Sequence, residues 1–400
     1  MKFPVCKHSR SRTAHRVSLS LLASEPFRLF FILGAVWSVI GVSLWPLHYG
    51  GWLEWFPGAC HSRLMIQGFG GAFLLGFLGT AGPRMLSAPR LTPVELLLLA
   101  SLHQTALLLH VKGWQAWGDC FFALSLALFA AGLAFRARHG KVTRPPPQMV
   151  LAFSGLIFGL TGALLLGNPF WMSGAGAWMP ALANLLLNQG LLLAPVLGVG
   201  SFLFPRILGR EFGDEGTPAQ LNSRRLRAVI ATALLLASFL LEAFQFLPAA
   251  YGLRAAVCAV YLAREVRWRR AADAAPAGPL SRGLRWSLAA GLAGLLLAAV
   301  FPQYKAGVLH LLFVGGFGLL MLVIGSRVLF GHSGDLEGFD KRSAAARAVV
   351  FLALLAAATR VTTAFLPNLT VSHHIYAALT WALVGILWLV WHRRRFLRSG

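Results

Sequence analysis

The chain alternates long apolar runs with short polar breaks. A helix needs about 20 apolar residues to cross the hydrocarbon core of a bilayer. Twelve stretches reach or approach that length: 27–48, 64–82, 93–111, 118–135, 149–167, 180–204, 227–247, 249–263, 284–302, 306–326, 344–366 and 373–392. The eighth is short. Backbone polar groups cannot stay unpaired in lipid, so the runs predict helices. Pro26, Pro93 and Pro180 stand near helix starts, where a missing N–H costs little. Three consecutive prolines make 144–148 a stiff connector, and 205–226 is the longest polar break in the middle of the chain. The pattern predicts an all-α polytopic membrane helix bundle of about 12 transmembrane helices. A basic tail is expected over 1–26, a single membrane domain over 27–392 and a second basic tail over 393–400.

Charge orients these spans. Only 12% of the residues are charged, yet 36 Lys and Arg against 13 Asp and Glu give a formal net charge of +23. With the N-terminal tail inside, 31 of the 36 basic residues fall on inner connections and tails. The outer connections hold Arg63, Lys112 and Lys305, while Arg254 and Arg360 lie within spans. The positive-inside rule then places both termini in the cytoplasm. Trp52, Trp55, Trp114, Trp117, Trp171 and Trp178 cluster in outer connections, as an interfacial belt does. Nucleic acid is excluded as a partner, because the basic residues are separated by apolar runs rather than set in polar surface with stacking aromatics. A hydrophobic content of 57% excludes disorder. The N-terminal 26 residues lack the apolar core of a signal peptide. Cys6, Cys60, Cys120 and Cys258 show no framework spacing.

Ionisable side chains within a membrane are costly and default to functional hypotheses. His48, His61, His110, His310, His373 and His374 fall near outer ends of spans, His103 near mid-membrane, and His332 beyond the inner end of the tenth span. Few acids accompany the outer histidines, which favours a metal or cofactor over a proton relay. Neutral imidazole suits iron, copper and zinc, and histidine can hold haem iron axially. A haem also needs small residues beside its macrocycle and cations for its propionates. Gly68, Ala72, Gly76 and Thr80 form a small-residue stripe below His61, and Arg63 and Arg360 are the candidate cations. Each residue has a plainer reading. Small-xxx-small stripes serve helix packing. An interfacial histidine more often hydrogen-bonds at headgroup level, and His103 beside Gln104 suits an interhelical hydrogen bond. His373 and His374 could add a ligand, Cys60 is a possible soft ligand, and Glu242 and Arg254 can simply pair.

Several segments resemble the NnrS family of twelve-span, haem- and copper-containing membrane proteins linked to the nitric oxide response. Residues 310–321, running into 326–334 with Arg327, Val328, Gly331, His332 and Gly334, are similar to the family stretch LHxxxVGxxGxMxxxVMxRVxLGHTG. Residues 26–31 resemble PFRPFF, residues 76–83 resemble GFLLTAVP, and residues 200–205 resemble GGRxIPxF. Arg360-Val361 before Leu366-Pro367 is similar to the family's eleventh span. The family's WHAHEM motif departs here: His61 keeps its first histidine, but Arg63 and Leu64 replace the second histidine and the glutamate. The ninth span has no histidine either.

The resemblance implies a multi-pass protein of the bacterial inner membrane that acts in the nitric oxide or nitrosative-stress response or linked redox metabolism. It implies haem b with His61 and His310 as axial ligands, Arg63 and Arg360 at the propionates, and Gly68 and Ala72 beside the macrocycle. Arg63 and Leu64 put copper in doubt. Spans two and ten also hold a low-spin haem in haem–copper oxidases, which is an analogy of fold only. The bilayer, nitric oxide or another small diatomic, and an unidentified redox partner are the implied partners. His332 lies 22 residues beyond His310, roughly 33 Å along a helix, so the two cannot share a metal. Its Gly-His-Ser-Gly turn, residues 331–334, is read as an inner helix cap or a second functional spot. The competing readings are a cofactor-free transporter of a small anionic solute, with Arg254 or Arg360 at its site, and an assembly subunit.

Overall fold

A computed structural model describes residues 18–140, 146–147, 149–168, 170, 174, 176–208, 217–266, 277–341 and 343–398. Residues 1–17, most of the 144–148 connector, Trp171, and part of the 205–226 break lie outside the described residues. So do Cys6 and 399–400. The described residues contain helices and no strands. A short helix α1 (Leu19–Ser24) precedes α2 (Phe27–Tyr49), α3 (Gly58–Met85), α4 (Pro93–Val111), α5 (Gln115–His139) and α6 (Met149–Gly167). There follow α7 (Trp178–Ile207), α8 (Pro218–Ala243), α9 (Leu247–Val266), α10 (Pro279–Val300), α11 (Pro302–His332), α12 (Ala344–Phe365) and α13 (Pro367–Leu397).

Eleven of these helices are long and apolar enough to cross a membrane. The short eighth stretch is α9, a helix of 20 residues, but Arg254, Arg264 and Glu265 keep it below the apolarity of the others. The protein is an all-helical polytopic membrane bundle. Helix starts follow local chemistry. Thr92 and Glu95 form a capping box at α4, and Thr217 and Gln220 form one at α8. Pro93, Pro218 and Pro279 sit in the first helical turn, where no N–H is needed.

Three helices form the centre. In the most apolar window of α3, 83% of residues are buried, and in α7 and α11 72%, against 28% in α12. Each of the three contains a π-helical stretch: Leu64–Gly71, Leu186–Gly190 and Leu311–Gly318. A π-turn costs helix stability and recurs at functional sites. The small-residue stripe of α3 lies against α2. A Cβ on Gly68 would meet Trp37, Ala72 touches the place of Gly34, and Gly76 faces Phe27, Phe30 and Phe31. Thr80 accepts from the backbone N–H of Phe27 at 3.3 Å. In α11, Gly316 lies against the backbone of Gly291 in α10. The stripe thus seats two helices closely, its plainer reading.

The two ends of the described chain meet. Arg28, 1% exposed, donates to the carbonyls of Arg395 (3.2 Å), Phe396 (2.7 Å) and Arg398 (2.7 Å). It thereby satisfies carbonyls that the end of α13 leaves open. Within the segments read as tails, Leu19–Ser24 is helical and α13 runs through Leu397. Arg28 also pairs with Glu25 at 2.7 Å. His332 donates to Glu25 from Nδ1 at 2.8 Å and accepts at Nε2 from Arg84 at 2.8 Å. Arg84 can only donate, so the proton of this imidazole sits on Nδ1. The His332 imidazole therefore belongs to a cluster with Glu25 and Arg84, while the backbone of its turn closes α11, with Ser333 N–H donating to the Leu329 carbonyl (3.1 Å), Asp335 N–H to that of Phe330 (3.1 Å) and Gly334 at positive φ.

Burial alone would raise the Glu25 carboxyl. The hydrogen bonds from His332 and Arg28 and the charge of Arg28 outweigh it and hold the group at about 2 rather than the ordinary 4.5. A depressed carboxylate contributes stability that is full above its unfolded value and is lost as pH falls through the folded one. Glu25→Gln is expected to lower the unfolding temperature at neutral pH. The gap to wild type should close as pH falls from 4.5 toward about 2, as thermal unfolding in detergent across that range would record.

Candidate functional site

A cavity of about 330 Å³ lies where α2, α3, α7, α11, α12 and α13 converge. It brings together His61, His310, His374 and Arg360. Its remaining wall is mostly apolar and includes Trp45, Phe69, Phe313, Trp381, Met65 and Met321. Each central helix delivers a residue at its π-helical stretch. His61 stands just before the one in α3, His310 directly before the one in α11, and Asn188 within the one in α7.

The two leading histidines share one arrangement. His61 Nδ1 lies 2.9 Å from the carbonyl oxygen of Gly41, and His310 Nδ1 lies 2.8 Å from that of Ala306. A carbonyl can only accept, so each Nδ1 carries the proton and each Nε2 keeps its lone pair. That is how a protein fixes the tautomer and orientation of a ligating imidazole. Trp45 sits against both His61 (ring centroids 5.8 Å) and His374 (5.1 Å), and Tyr49 hydroxyl bonds His374 Nδ1 at 2.9 Å. The Arg360 guanidinium bonds Thr363 Oγ1 at 2.6 Å, and among the described residues no carboxylate pairs with it. A half-buried cation beside an apolar cavity calls for an anionic group from outside the chain.

The other residues singled out in the sequence are placed elsewhere. Arg63 is not on the cavity wall. Its Nε lies 2.8 Å from Asp119 Oδ1 and its Nη2 3.1 Å from Oδ2, and Nη1 reaches Asn184 at 3.4 Å. Asp119, 1% exposed, already neutralises it, so Arg63 is not available to a propionate in this arrangement. Gly68 and Ala72 face α2, away from the cavity. His103 donates from Nε2 to the Gln67 carbonyl at 2.8 Å and accepts at Nδ1 from Gln104 at 2.9 Å, which leaves no lone pair for a metal. His110 is likewise engaged at both nitrogens, by Gln115 and Gln67. His373 neighbours Ser372 and Tyr376 and does not line the cavity, unlike its neighbour His374. Cys60 is buried against Leu64 and Leu107, off the cavity.

Asn188 escaped the sequence reading. Its Oδ1 is buried and has no hydrogen-bond partner, and the residue lines the cavity. The adjacent Gln189 turns the other way and accepts from Arg254 at 2.7 Å. The signal was present: two consecutive amides inside an apolar run.

The donor set fits a large flat group better than a bare ion. Among the described residues no three His, Cys, Asp or Glu side chains converge closely enough to hold a metal ion. Two oriented imidazoles, aromatic walls and an unneutralised cation in one cavity are what a haem would use. A family model described as NnrS protein matches residues 21–399. No curated protein matches the chain.

Proposed function

The chain belongs to the NnrS family, and on that premise we propose that it is a membrane haem protein of the nitric oxide or nitrosative-stress response. One observation carries the reading: His61 and His310 line the same cavity from two central helices, with Nδ1 committed to backbone carbonyls and Nε2 free. These two residues would hold haem b, and Arg360 would meet a propionate. Haem supplies one-electron redox chemistry. The protein orients the ligands through Gly41 and Ala306, excludes water with the aromatic wall, and balances charge through Arg360. Two histidine ligands favour electron transfer or sensing over ligand turnover. Copper does not fit the residues present, because Arg63 and Leu64 stand in the family's motif and Arg63 is committed to Asp119.

The rival reading is a transporter of a small anion. Arg360 without a carboxylate is the observation in its favour. Arg254 is not, since Glu242 neutralises it at 2.9 Å. Arg360→Gln separates the readings. On the haem reading it keeps the haem and lowers the midpoint potential by on the order of 50–100 mV, because a nearby cation stabilises the reduced state. A spectroelectrochemical titration measures this. No haem to titrate in the wild type, together with anion binding that Arg360→Gln abolishes, would favour the transporter.

A further inference from the structure

Toward the end of the bundle that carries the chain termini, a second cavity of about 80 Å³ lies between α3, α7 and α11, closed on one side by Phe31 of α2. Every residue on its wall is apolar. It is large enough for water, but water needs two to four polar partners, and none is offered. Apolar pockets take up xenon or small hydrophobic molecules more readily than water. Leu192 and Met321 line both this cavity and the histidine cavity, so these two side chains are the partition between them. Leu192 belongs to α7 just past its π-helical stretch, and Met321 is unbranched and flexible. A third apolar pocket of about 60 Å³ shares Val196 and Leu320 with the second.

We propose that the cavity between α3, α7 and α11 is a binding site for a small apolar gas, held one side-chain layer from the histidine cavity. An uncharged diatomic partitions into the bilayer, and a partly enclosed pocket lined only by apolar side chains among the central helices gives it a place to dwell without passing through water. Movement of Met321 would let it through to His61 and His310. The destination of the gas rests on the haem reading above; the site itself does not.

The test is xenon. Crystals of the purified full chain, pressurised with xenon, should show an anomalous peak within this cavity. Val199→Phe fills it from α7 and Ile324→Phe fills it from α11, and each should remove that peak while peaks elsewhere persist. Two variants on different helices guard against one that fails to fold. Leu192→Ala removes half the partition and should extend xenon density into the histidine cavity. A peak in haem-free protein would still support the site while rejecting the haem reading. Ordered water or an acyl chain in the cavity, with no xenon peak, would overturn the proposal.

Discussion

Replacing His310 by alanine is expected to strip haem from the purified protein, and His61→Ala to do the same. In each case the Soret and α bands should vanish while the protein stays monodisperse. The size of the effect follows from the wall of the cavity. His61 and His310 are oriented by Gly41 and Ala306. His374 Nδ1 is taken by Tyr49, and His103 and His110 are engaged at both nitrogens. His374 is the third imidazole on the cavity wall, and only its Nδ1 is engaged, so His374→Ala is the companion variant: it should leave the bands in place. His103→Ala serves as the control. It removes a buried interhelical hydrogen bond, so it should cost stability and leave the bands in place. Bands that survive both His61→Ala and His310→Ala would place the ligands elsewhere.

Arg254→Leu is expected to lower stability by about 3 kcal/mol, because it leaves the buried Glu242 carboxylate with only the partly exposed Lys305 Nζ, 3.5 Å away, as a cationic partner. Arg254 is fully buried. It pairs with Glu242, donates to Gln189, to Ser238 Oγ (3.1 Å) and to the Ser238 carbonyl (3.2 Å), and stacks near Phe239 and Tyr251. Tyr251 donates to Glu242 from the other side. Replacing both charged partners, Arg254→Leu with Glu242→Leu, should recover much of the loss, since an apolar pair of similar volume is often as stable as a buried ion pair. Thermal unfolding of the single and double variants in one detergent measures this. A single variant as stable as wild type would mean that the pair is not buried as described. The pair also reaches the site. Gln189 is held by Arg254 while Asn188 beside it faces the cavity, so loss of Arg254 frees the π-helical stretch that places Asn188.

The bundle was legible in the sequence because hydrophobicity in a membrane is written as length. The apolar runs starting at 27, 93 and 149 coincide with the starts of α2, α4 and α6. Only α9 resisted, because the residues that make it a poor lipid-facing helix, Arg254 above all, are paired inside the bundle. Single histidines could be placed by depth in the sequence, and the structure sets His61, His310 and Arg360 on the wall of one cavity. Rotation about a helix axis was not legible. Arg63 is two residues from His61, which on a helix turns it to a different face, and there it finds Asp119. His373 and His374 are neighbours in sequence and part for the same reason. The π-helical stretches had no pattern of their own. Their glycines, at 68, 70, 71, 190, 315, 316 and 318, read as ordinary packing positions. Their recurrence in the second, sixth and tenth spans emerges only once those three helices are seen to be the most buried.

A reduced-minus-oxidised optical spectrum of the purified full-length protein, paired with iron and copper analysis of the same sample, tests the central claim most directly. The account predicts low-spin b-type haem bands, with iron in stoichiometric amount and copper absent. Well-folded, monodisperse protein with neither haem bands nor stoichiometric iron would contradict it, and would leave Arg360 as the centre of an anion site.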